Sequence, residues 1–199
     1  MADRKQLMDV PPARVFYFYS QWQPGYETLK ENGLVDEFIK GLPTTEFVET
    51  MAVSQTGPLQ EGEKFRGTLS VIDDQVTKVS AELAEIFMIT SRHSGMSMLL
   101  LCQALFMPSN KHFRLISVNS TYVVLFKNPR DTQSIANFAK QFRPGAVKYF
   151  RASYEDATQL PYTYILLDLD PRTPNNLRVR ARIFSHEAPS IVYLEPKKR

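Results

Sequence analysis

The pattern of hydrophobic and polar positions divides the chain into short strand-like runs and longer helix-like stretches. Runs of consecutive or alternating apolar residues are typical of β-strands, and they occur at residues 15–20, 68–74, 96–103, 121–127, 162–169, 177–184 and 190–196. The runs at 96–103 and 121–127 are predominantly apolar, so we expect both strands to be buried, the first of them on both faces.

Between these runs, apolar residues recur at intervals of three and four, which is the period of an amphipathic helix. The clearest case is Ile135, Phe138, Ala139 and Phe142. We predict helices at residues 26–39 (interrupted at Asn32-Gly33), 80–91 (with Ser80 as N-cap), 135–142 and 147–158, and mostly loop at the glycine-rich residues 41–67. Strands that alternate with helices predict an α/β domain with a mainly parallel sheet flanked by helices, followed by antiparallel C-terminal strands.

Length and composition narrow the class of protein. The 199 residues predict one domain, with a flexible N-terminus at residues 1–14 and basic strands and a tail at residues 172–199. A hydrophobic content of 43% excludes global disorder, and a single cysteine excludes a disulfide framework. No apolar run reaches the roughly 18 residues of a membrane span, and no signal-peptide core is present. We therefore expect an intracellular protein in a reducing compartment, neither secreted nor in a membrane.

Basic residues are concentrated near the C-terminus. The net charge is +3, but residues 172–199 hold seven basic and two acidic residues. Arg178, Arg180 and Arg182 alternate with apolar residues, which predicts that they share one face of a half-exposed strand. Three guanidinium groups in a row suit the phosphate backbone of DNA. The alternative is a charged edge strand that prevents aggregation.

Two adjacent carboxylates, Asp73 and Asp74, end the strand predicted at residues 68–74. Proteins of the α/β class bind ligands at the carboxyl edge of a parallel sheet, where this pair is expected to lie. Asp73 has the chemistry to hold Mg²⁺, directly or through water, and Asp74 to orient and deprotonate an attacking water. The alternative is a solvated Asp-Asp turn.

Three further polar residues stand beside predicted strand ends or turns. Gln103 ends the next strand, where its amide can hold a water between metal and phosphate; an ordinary polar strand end is the alternative. Arg92 and Arg130 are placed next to turn residues, from which either can reach a phosphate on a neighbouring subunit as an arginine finger does. The alternative for each is a surface arginine paired with a nearby acid, such as Asp131 for Arg130.

Other catalytic signatures have no support in the sequence. No G-x-x-x-x-G-K-[ST] phosphate-binding loop occurs, and residues 57–64 are only a near miss that we interpret as a surface loop. The three histidines lack metal-ligand spacing with one another and with Cys102, which we expect to fill the core. No G-x-S-x-G nucleophile elbow is present.

Six segments follow one another along residues 15–184 in a specific order: YSQWQPGY, LSVIDDQ, SRHSGMS, MLLLCQALF, SVNSTYVVLFKNPRD and ATQLPYTYILLDLDPRT. This order and spacing resemble the genome-packaging ATPases of the FtsK–HerA superfamily. The resemblance is greatest to those of large eukaryotic DNA viruses and of Maverick/Polinton transposons. Members of that family are P-loop ATPases that work as oligomeric rings and drive double-stranded DNA into a preformed capsid.

The resemblance implies a three-layer P-loop NTPase fold of the RecA/ASCE type, with Mg²⁺ and ATP as ligands. The implied partners are double-stranded DNA, other copies of the chain in a ring, and capsid or portal components, in the virion or in the nucleus or cytoplasm of a host cell. Asp73 would bind Mg²⁺, Asp74 would be the catalytic carboxylate and Gln103 the polar sensor. Arg92 or Arg130 would reach the neighbouring subunit's nucleotide, while the arginine strand receives no firm role.

The chain departs from the family in its phosphate-binding loop. Only eighteen residues precede Tyr19, and none is glycine, so we expect the chain to begin after the first β–α unit of the fold. In the family, the strand of that unit lies beside the one predicted here at residues 96–103. We expect this edge to be filled by the N-terminal segment, to be filled by another chain, or to remain open.

The leading hypothesis is therefore the core of a DNA-packaging ATPase that hydrolyses ATP weakly or not at all without its phosphate-binding loop. A non-catalytic DNA-binding or assembly protein derived from the same fold is the second hypothesis, and there the arginine strand would carry the function. A related helicase-type DNA motor is the third.

Overall fold

The computed structural model describes residues 11–54, 67–107 and 109–196. The chain divides into two compact units, Met1–Asn119 and Ser120–Arg199. The single domain predicted over residues 1–199 stays a prediction. Residues 1–10 and 57–64 and the last three residues of the basic tail lie outside the described residues. The predicted flexible N-terminus extends too far, because Arg14 already begins a strand and the Ala13 N–H donates to the Gly67 carbonyl oxygen at 2.8 Å.

The first unit is built on a four-stranded parallel sheet. Its strands are β1 (Arg14–Tyr19), β2 (Glu37–Lys40), β3 (Thr68–Asp73) and β4 (Met96–Leu101), in the order β2-β1-β3-β4. All three neighbouring pairs are parallel. The strands predicted at residues 15–20, 68–74 and 96–103 are confirmed to within two residues at each end.

Helices flank both faces of this sheet. The elements are α1 (Gly25–Glu31), α2 (Thr45–Ser54), α3 (Ala81–Glu85), α4 (Ser91–His93) and α5 (Lys111–Asn119), with a π-helical turn, Ile86–Thr90, that joins α3 to α4. Side chains of β1 alternate between two apolar clusters, with Tyr17 in the cluster that contains Tyr26 of α1 and Phe18 in the cluster that contains Leu83 of α3. The helix predicted at residues 80–91 is confirmed, and Ser80 caps it by accepting a hydrogen bond from the Leu83 N–H at 3.2 Å.

The second half of the helix predicted at residues 26–39 is a strand instead. Helix α1 ends at the predicted interruption, because Gly33 adopts a φ of 60° that a helix does not continue through. Phe38 and Ile39 then pack into opposite clusters, which is the period of strand β2. In the stretch 41–67, predicted as mostly loop, residues 45–54 form α2, whose Val48 is fully buried, and residues 55–66 lie outside the described residues. Helix α5, which no apolar pattern predicted, buries Phe113 and Ile116.

Strand β4 is an edge strand, which corrects the prediction that it is covered on both faces. Ser97, Leu99 and Leu101 are exposed, whereas Met98 and Leu100 are half-buried against the cluster of Phe18. One edge pairs with β3, and within the described ranges no strand pairs with the other edge.

The second unit contains an antiparallel sheet in the order β5-β6-β7-β8. Its strands are β5 (Tyr122–Phe126), β6 (Tyr164–Asp168), β7 (Val179–Ala181) and β8 (Ile191–Val192), and its helices are α6 (Thr132–Phe142) and α7 (Val147–Ala157). Both predicted helices are confirmed, and every residue of β6 is buried. The prediction that β5 is buried is wrong, because Tyr122, Val124 and Phe126 are exposed and β5 forms the edge of the sheet.

The architecture is therefore mixed α/β, with a helix-flanked parallel sheet and a separate antiparallel sheet. None of the helices in the described part of the chain has the length and apolar character that a membrane crossing requires.

Candidate functional site

The candidate site is the carboxyl edge of the parallel sheet in the first unit. Strands β3 and β4 are parallel neighbours that end at Asp73 and Leu101, which are partners in the register. Asp74 follows β3 directly, and Gln103 lies two residues beyond β4. Because parallel strands end at the same edge, the sheet brings these polar side chains to one place.

Asp73 is held by two tyrosine hydroxyls. Its Oδ2 atom accepts a hydrogen bond from the Tyr17 hydroxyl at 2.8 Å and one from the Tyr26 hydroxyl at 2.7 Å. Burial and then the hydrogen bond to Asp73 raise the pKa of both phenols above their ordinary value, so both remain protonated donors at neutral pH. Sequence reasoning missed both tyrosines, because Tyr17 lies in an aromatic strand-like run and Tyr26 at an apolar position of a helix-like stretch, where each is expected to be a core residue.

Asp74 turns away from the direction of the strand. Its φ of 51° is in the left-handed region, which aspartate tolerates better than most residues. Its exposed carboxylate accepts a hydrogen bond from the Gln103 side-chain amide, with 3.3 Å between Nε2 and Oδ1. The structure therefore brings Asp74 and Gln103 together, as expected from the two neighbouring strand ends.

Gln75 is a further polar residue at this edge that the sequence analysis passed over. It is fully buried, and its Nε2 donates to the carbonyl oxygen of Gly41 in the loop after β2. The N–H of Gly41 in turn donates to the Tyr19 carbonyl oxygen at 2.9 Å. Gln75 Oε1 has no hydrogen-bond partner among the described residues. Gln75 thus ties the loop after β3 to the loop after β2.

The two candidate arginine fingers lie in different units. Arg92 is the middle residue of α4 in the first unit. Arg130 is exposed in the second unit, in the turn after β5, where its backbone N–H donates to Asn128 Oδ1 at 3.1 Å. Asp131, the partner considered for Arg130, instead caps α6 by accepting a hydrogen bond from the Ser134 N–H at 3.1 Å.

The prediction of three arginines on one face of one strand is wrong. Strand β7 covers only Val179–Ala181, so Arg178 precedes it, and Arg182 follows it with a φ of 54°. Arg178 donates to the carbonyl oxygens of Asp168 and Asp170 at 3.0 and 2.9 Å. Arg180 forms an ion pair with the buried Asp168 carboxylate at 2.5 Å. Two of the three guanidinium groups therefore bind within their own unit, Arg178 to main-chain carbonyl oxygens and Arg180 to the Asp168 carboxylate.

Cys102 also differs from its prediction as a core residue. It follows β4 and is exposed, because the strand ends one residue earlier than the apolar run.

The residues at the carboxyl edge fit the coordination habits of Mg²⁺. Nowhere in the described ranges do three or more His, Cys, Asp or Glu side chains converge on one point. Mg²⁺ does not require such a set, because it commonly binds through one or two carboxylates and completes its shell with water and substrate phosphates. Asp73, Asp74 and the amide of Gln103 have oxygen atoms of that kind.

A separate groove of about 640 Å³ lies in the second unit, where Phe142, Arg143, Tyr149, Asn175 and Leu194 contribute to its lining. None of the residues at the carboxyl edge of the parallel sheet lines it.

Neither a protein-family model nor a curated protein matches this sequence.

Proposed function

We propose that the chain is the core of a DNA-packaging ATPase that couples ATP hydrolysis to the movement of double-stranded DNA into a capsid. One observation carries the proposal: two carboxylates at the end of β3 and a glutamine after the neighbouring β4 meet at one edge of a parallel sheet, with Asp74 and Gln103 hydrogen-bonded at 3.3 Å. The order of the six sequence segments that resemble the FtsK–HerA packaging ATPases supports the same function.

The chemistry is divided between the two carboxylates. Asp73 would hold Mg²⁺ through a carboxylate oxygen, and the ion when bound would supply positive charge to the phosphates of ATP. Asp74 is exposed and accepts the water's proton as general base. Gln103 orients the Asp74 carboxylate through its amide.

The open edge of β4 also supports the proposal. The resemblance places the strand that leads to the phosphate-binding loop beside β4, and in the part of the chain that the structure describes no strand pairs with that edge. A strand bound there would cover Leu99 and Leu101 and would bring a phosphate-binding loop to the ends of β3 and β4. Since the sequence contains no such loop motif, we expect weak nucleotide binding by the chain alone.

The partners and the location follow from the same proposal. The protein acts as a ring of identical subunits on double-stranded DNA, together with capsid or portal components, in the virion or in the host nucleus or cytoplasm. Arg92 or Arg130 completes the site of a neighbouring subunit.

A helicase-type motor would hydrolyse ATP at the same site but would move along a different nucleic-acid substrate. A purely DNA-binding protein has less support, because the guanidinium groups of Arg178 and Arg180 are already bound by the main-chain carbonyl oxygen and the carboxylate of Asp168.

ATP hydrolysis by the full chain tests the proposal. We expect slow Mg²⁺-dependent hydrolysis that linear double-stranded DNA stimulates, and a decrease on the order of 10²-fold in Asp74→Asn, which lacks the general base. Gln103→Leu should also slow hydrolysis, because Gln103 donates to the Asp74 carboxylate. Its control is Gln159→Leu, which should not, because Gln159 donates at the same 3.3 Å to Asp156 Oδ1 in the second unit. Equal rates in the wild type and Asp74→Asn would contradict the proposal, as would the absence of both hydrolysis and Mg²⁺-dependent ATP binding.

A further inference from the structure

Two tyrosines from different elements donate to the same oxygen of Asp73. Tyr17 lies on β1 and Tyr26 on α1, and their hydroxyls are 2.8 and 2.7 Å from Asp73 Oδ2. A carboxylate has about four acceptor positions over its two oxygens. Both hydroxyls therefore donate to the same oxygen, Oδ2. The other oxygen, Asp73 Oδ1, has no hydrogen-bond partner among the described residues.

Ring packing fixes where these hydroxyls lie. Tyr17 and Tyr26 are 6% and 4% exposed, and their ring centroids are 5.0 Å apart. Both rings also contact Phe38, with centroids at 5.5 and 5.9 Å. Because neither ring can move without disturbing this cluster, the two hydroxyls set the orientation of the Asp73 carboxylate.

We infer that Tyr17 and Tyr26 are positioning residues that present one oxygen of Asp73, Oδ1, to a divalent cation. The inference rests on the proposed function, in which Asp73 binds Mg²⁺. A carboxylate whose other oxygen holds two donors binds a cation through a single oxygen. That mode suits Mg²⁺, which keeps near-ideal octahedral geometry, whereas Ca²⁺ also accepts bidentate carboxylates. The tyrosine pair therefore favours Mg²⁺ over Ca²⁺.

Mn²⁺ binding to the full chain tests this inference. Free Mn²⁺ is followed by electron paramagnetic resonance, and Mg²⁺ and Ca²⁺ are added as competitors. We expect the double variant Tyr17→Phe/Tyr26→Phe to bind Mn²⁺ about tenfold more weakly, as when other outer-shell partners of metal ligands are lost. We also expect Ca²⁺ to compete better relative to Mg²⁺, since Oδ2 is then free. Each single variant keeps one hydroxyl, so its Mn²⁺ affinity should lie between that of the wild type and that of the double variant.

Tyr193→Phe is the matched control, because the Tyr193 hydroxyl also donates to a carboxylate, Asp156 Oδ2, at 2.6 Å. This variant should bind Mn²⁺ as the wild type does. Trp22, the one tryptophan in the sequence, has its ring centroid 5.5 Å from that of Tyr26. An unchanged emission spectrum would therefore show that the double variant retains the aromatic cluster.

Two results would overturn the inference. One is an unchanged Mn²⁺ affinity and Mg²⁺-to-Ca²⁺ preference in the double variant, which would leave the proposed function intact. The other is no Mn²⁺ binding by the wild type, which would also remove the cation from the proposed function. Mn²⁺ binding that depends on both hydroxyls, in a chain without ATP hydrolysis or ATP binding, would support the inference and contradict the proposed function.

Discussion

At the residue scale, the degree of burial decides what each charged side chain contributes. In the second unit, two acids at the end of β6 each pair with an arginine. Asp168 is 4% exposed and pairs with Arg180, whereas Asp170 pairs with Arg172, whose side chain is 91% exposed. Removing one partner of a buried pair leaves an uncompensated charge, while an exposed pair is replaced by water at little cost.

Arg180→Ala should therefore destabilise the second unit by about 3–5 kcal/mol, because Asp168 would be left buried without its partner. Arg172→Ala, the control, should cost much less, because the Arg172 side chain lies almost entirely in solvent. Hydrogen exchange of the β6 backbone amides in denaturant measures both values. Similar costs for the two variants would contradict the burial argument, and so would a negligible cost for Arg180→Ala.

The pair at Asp170 makes stability depend on pH in acid. The hydrogen bonds from Arg172 lower the pKa of Asp170 from its ordinary value of 3.8 to about 2. A carboxyl whose pKa is lower in the folded state contributes stability above its unfolded pKa and loses it as the pH falls through the folded pKa. The wild type should thus be more stable than Asp170→Asn at pH 5, and the difference should vanish between pH 4 and pH 2. Urea titrations measure the free energy of unfolding of both proteins. A difference between the wild type and Asp170→Asn that stays constant from pH 5 to pH 2 would contradict this prediction.

The sequence predicts some residues of the candidate site and not others, for a physical reason. Asp73, Asp74 and Gln103 interrupt or end apolar runs, so their polarity stands out. Tyr17 and Tyr26 lie within apolar patterns, and only the folded structure shows that their hydroxyls meet a carboxylate. Gln75 is a polar residue at a position that loop packing buries completely, and no local pattern predicts that burial.

At the element scale, periodicity predicts that an element exists better than it predicts what covers it. The runs that became β4 and β5 are both apolar, and both were expected to be buried, yet each is an edge strand with exposed alternate side chains. Burial depends on neighbours that are distant in the sequence, which local periodicity does not contain. The open edge of β4 carries six uncharged residues without proline, a pattern typical of strands that pair with other chains.

Leu99→Lys should therefore reduce concentration-dependent self-association of the chain without lowering its melting temperature by more than a few degrees, because Leu99 is 44% exposed. Leu100→Lys is the contrasting variant: its side chain packs against the cluster that contains Phe18 and Ile72, so the charge should lower the melting temperature instead. Light scattering and thermal unfolding distinguish the two effects. Equal self-association in the wild type and Leu99→Lys would show that β4 is not an association edge.

At the scale of the whole molecule, the connections between strands explain why two kinds of sheet form. In the described residues, helical crossovers lie between β1 and β2, between β2 and β3, and between β3 and β4, and such crossovers join parallel strands. Two helices, α6 and α7, separate β5 from β6, so the chain returns in the opposite direction and the pair is antiparallel. The sequence predicted most of the alternation of strands and helices, but it missed β2 and α5, and it assigned β5 and β6 to the mainly parallel sheet.

The central claim is that the ends of β3 and β4 form a cation and phosphate site. Mn²⁺-induced broadening of backbone amide signals in nuclear magnetic resonance spectra of the full chain tests it most directly. We predict that the amides of Asp74, Gln75 and Gln103 broaden at the lowest Mn²⁺ concentration and that Asp73→Asn removes this effect, whereas Asp156→Asn does not. Broadening that begins at Asp168 and Asp170, or that shows no preferred location, would contradict the claim.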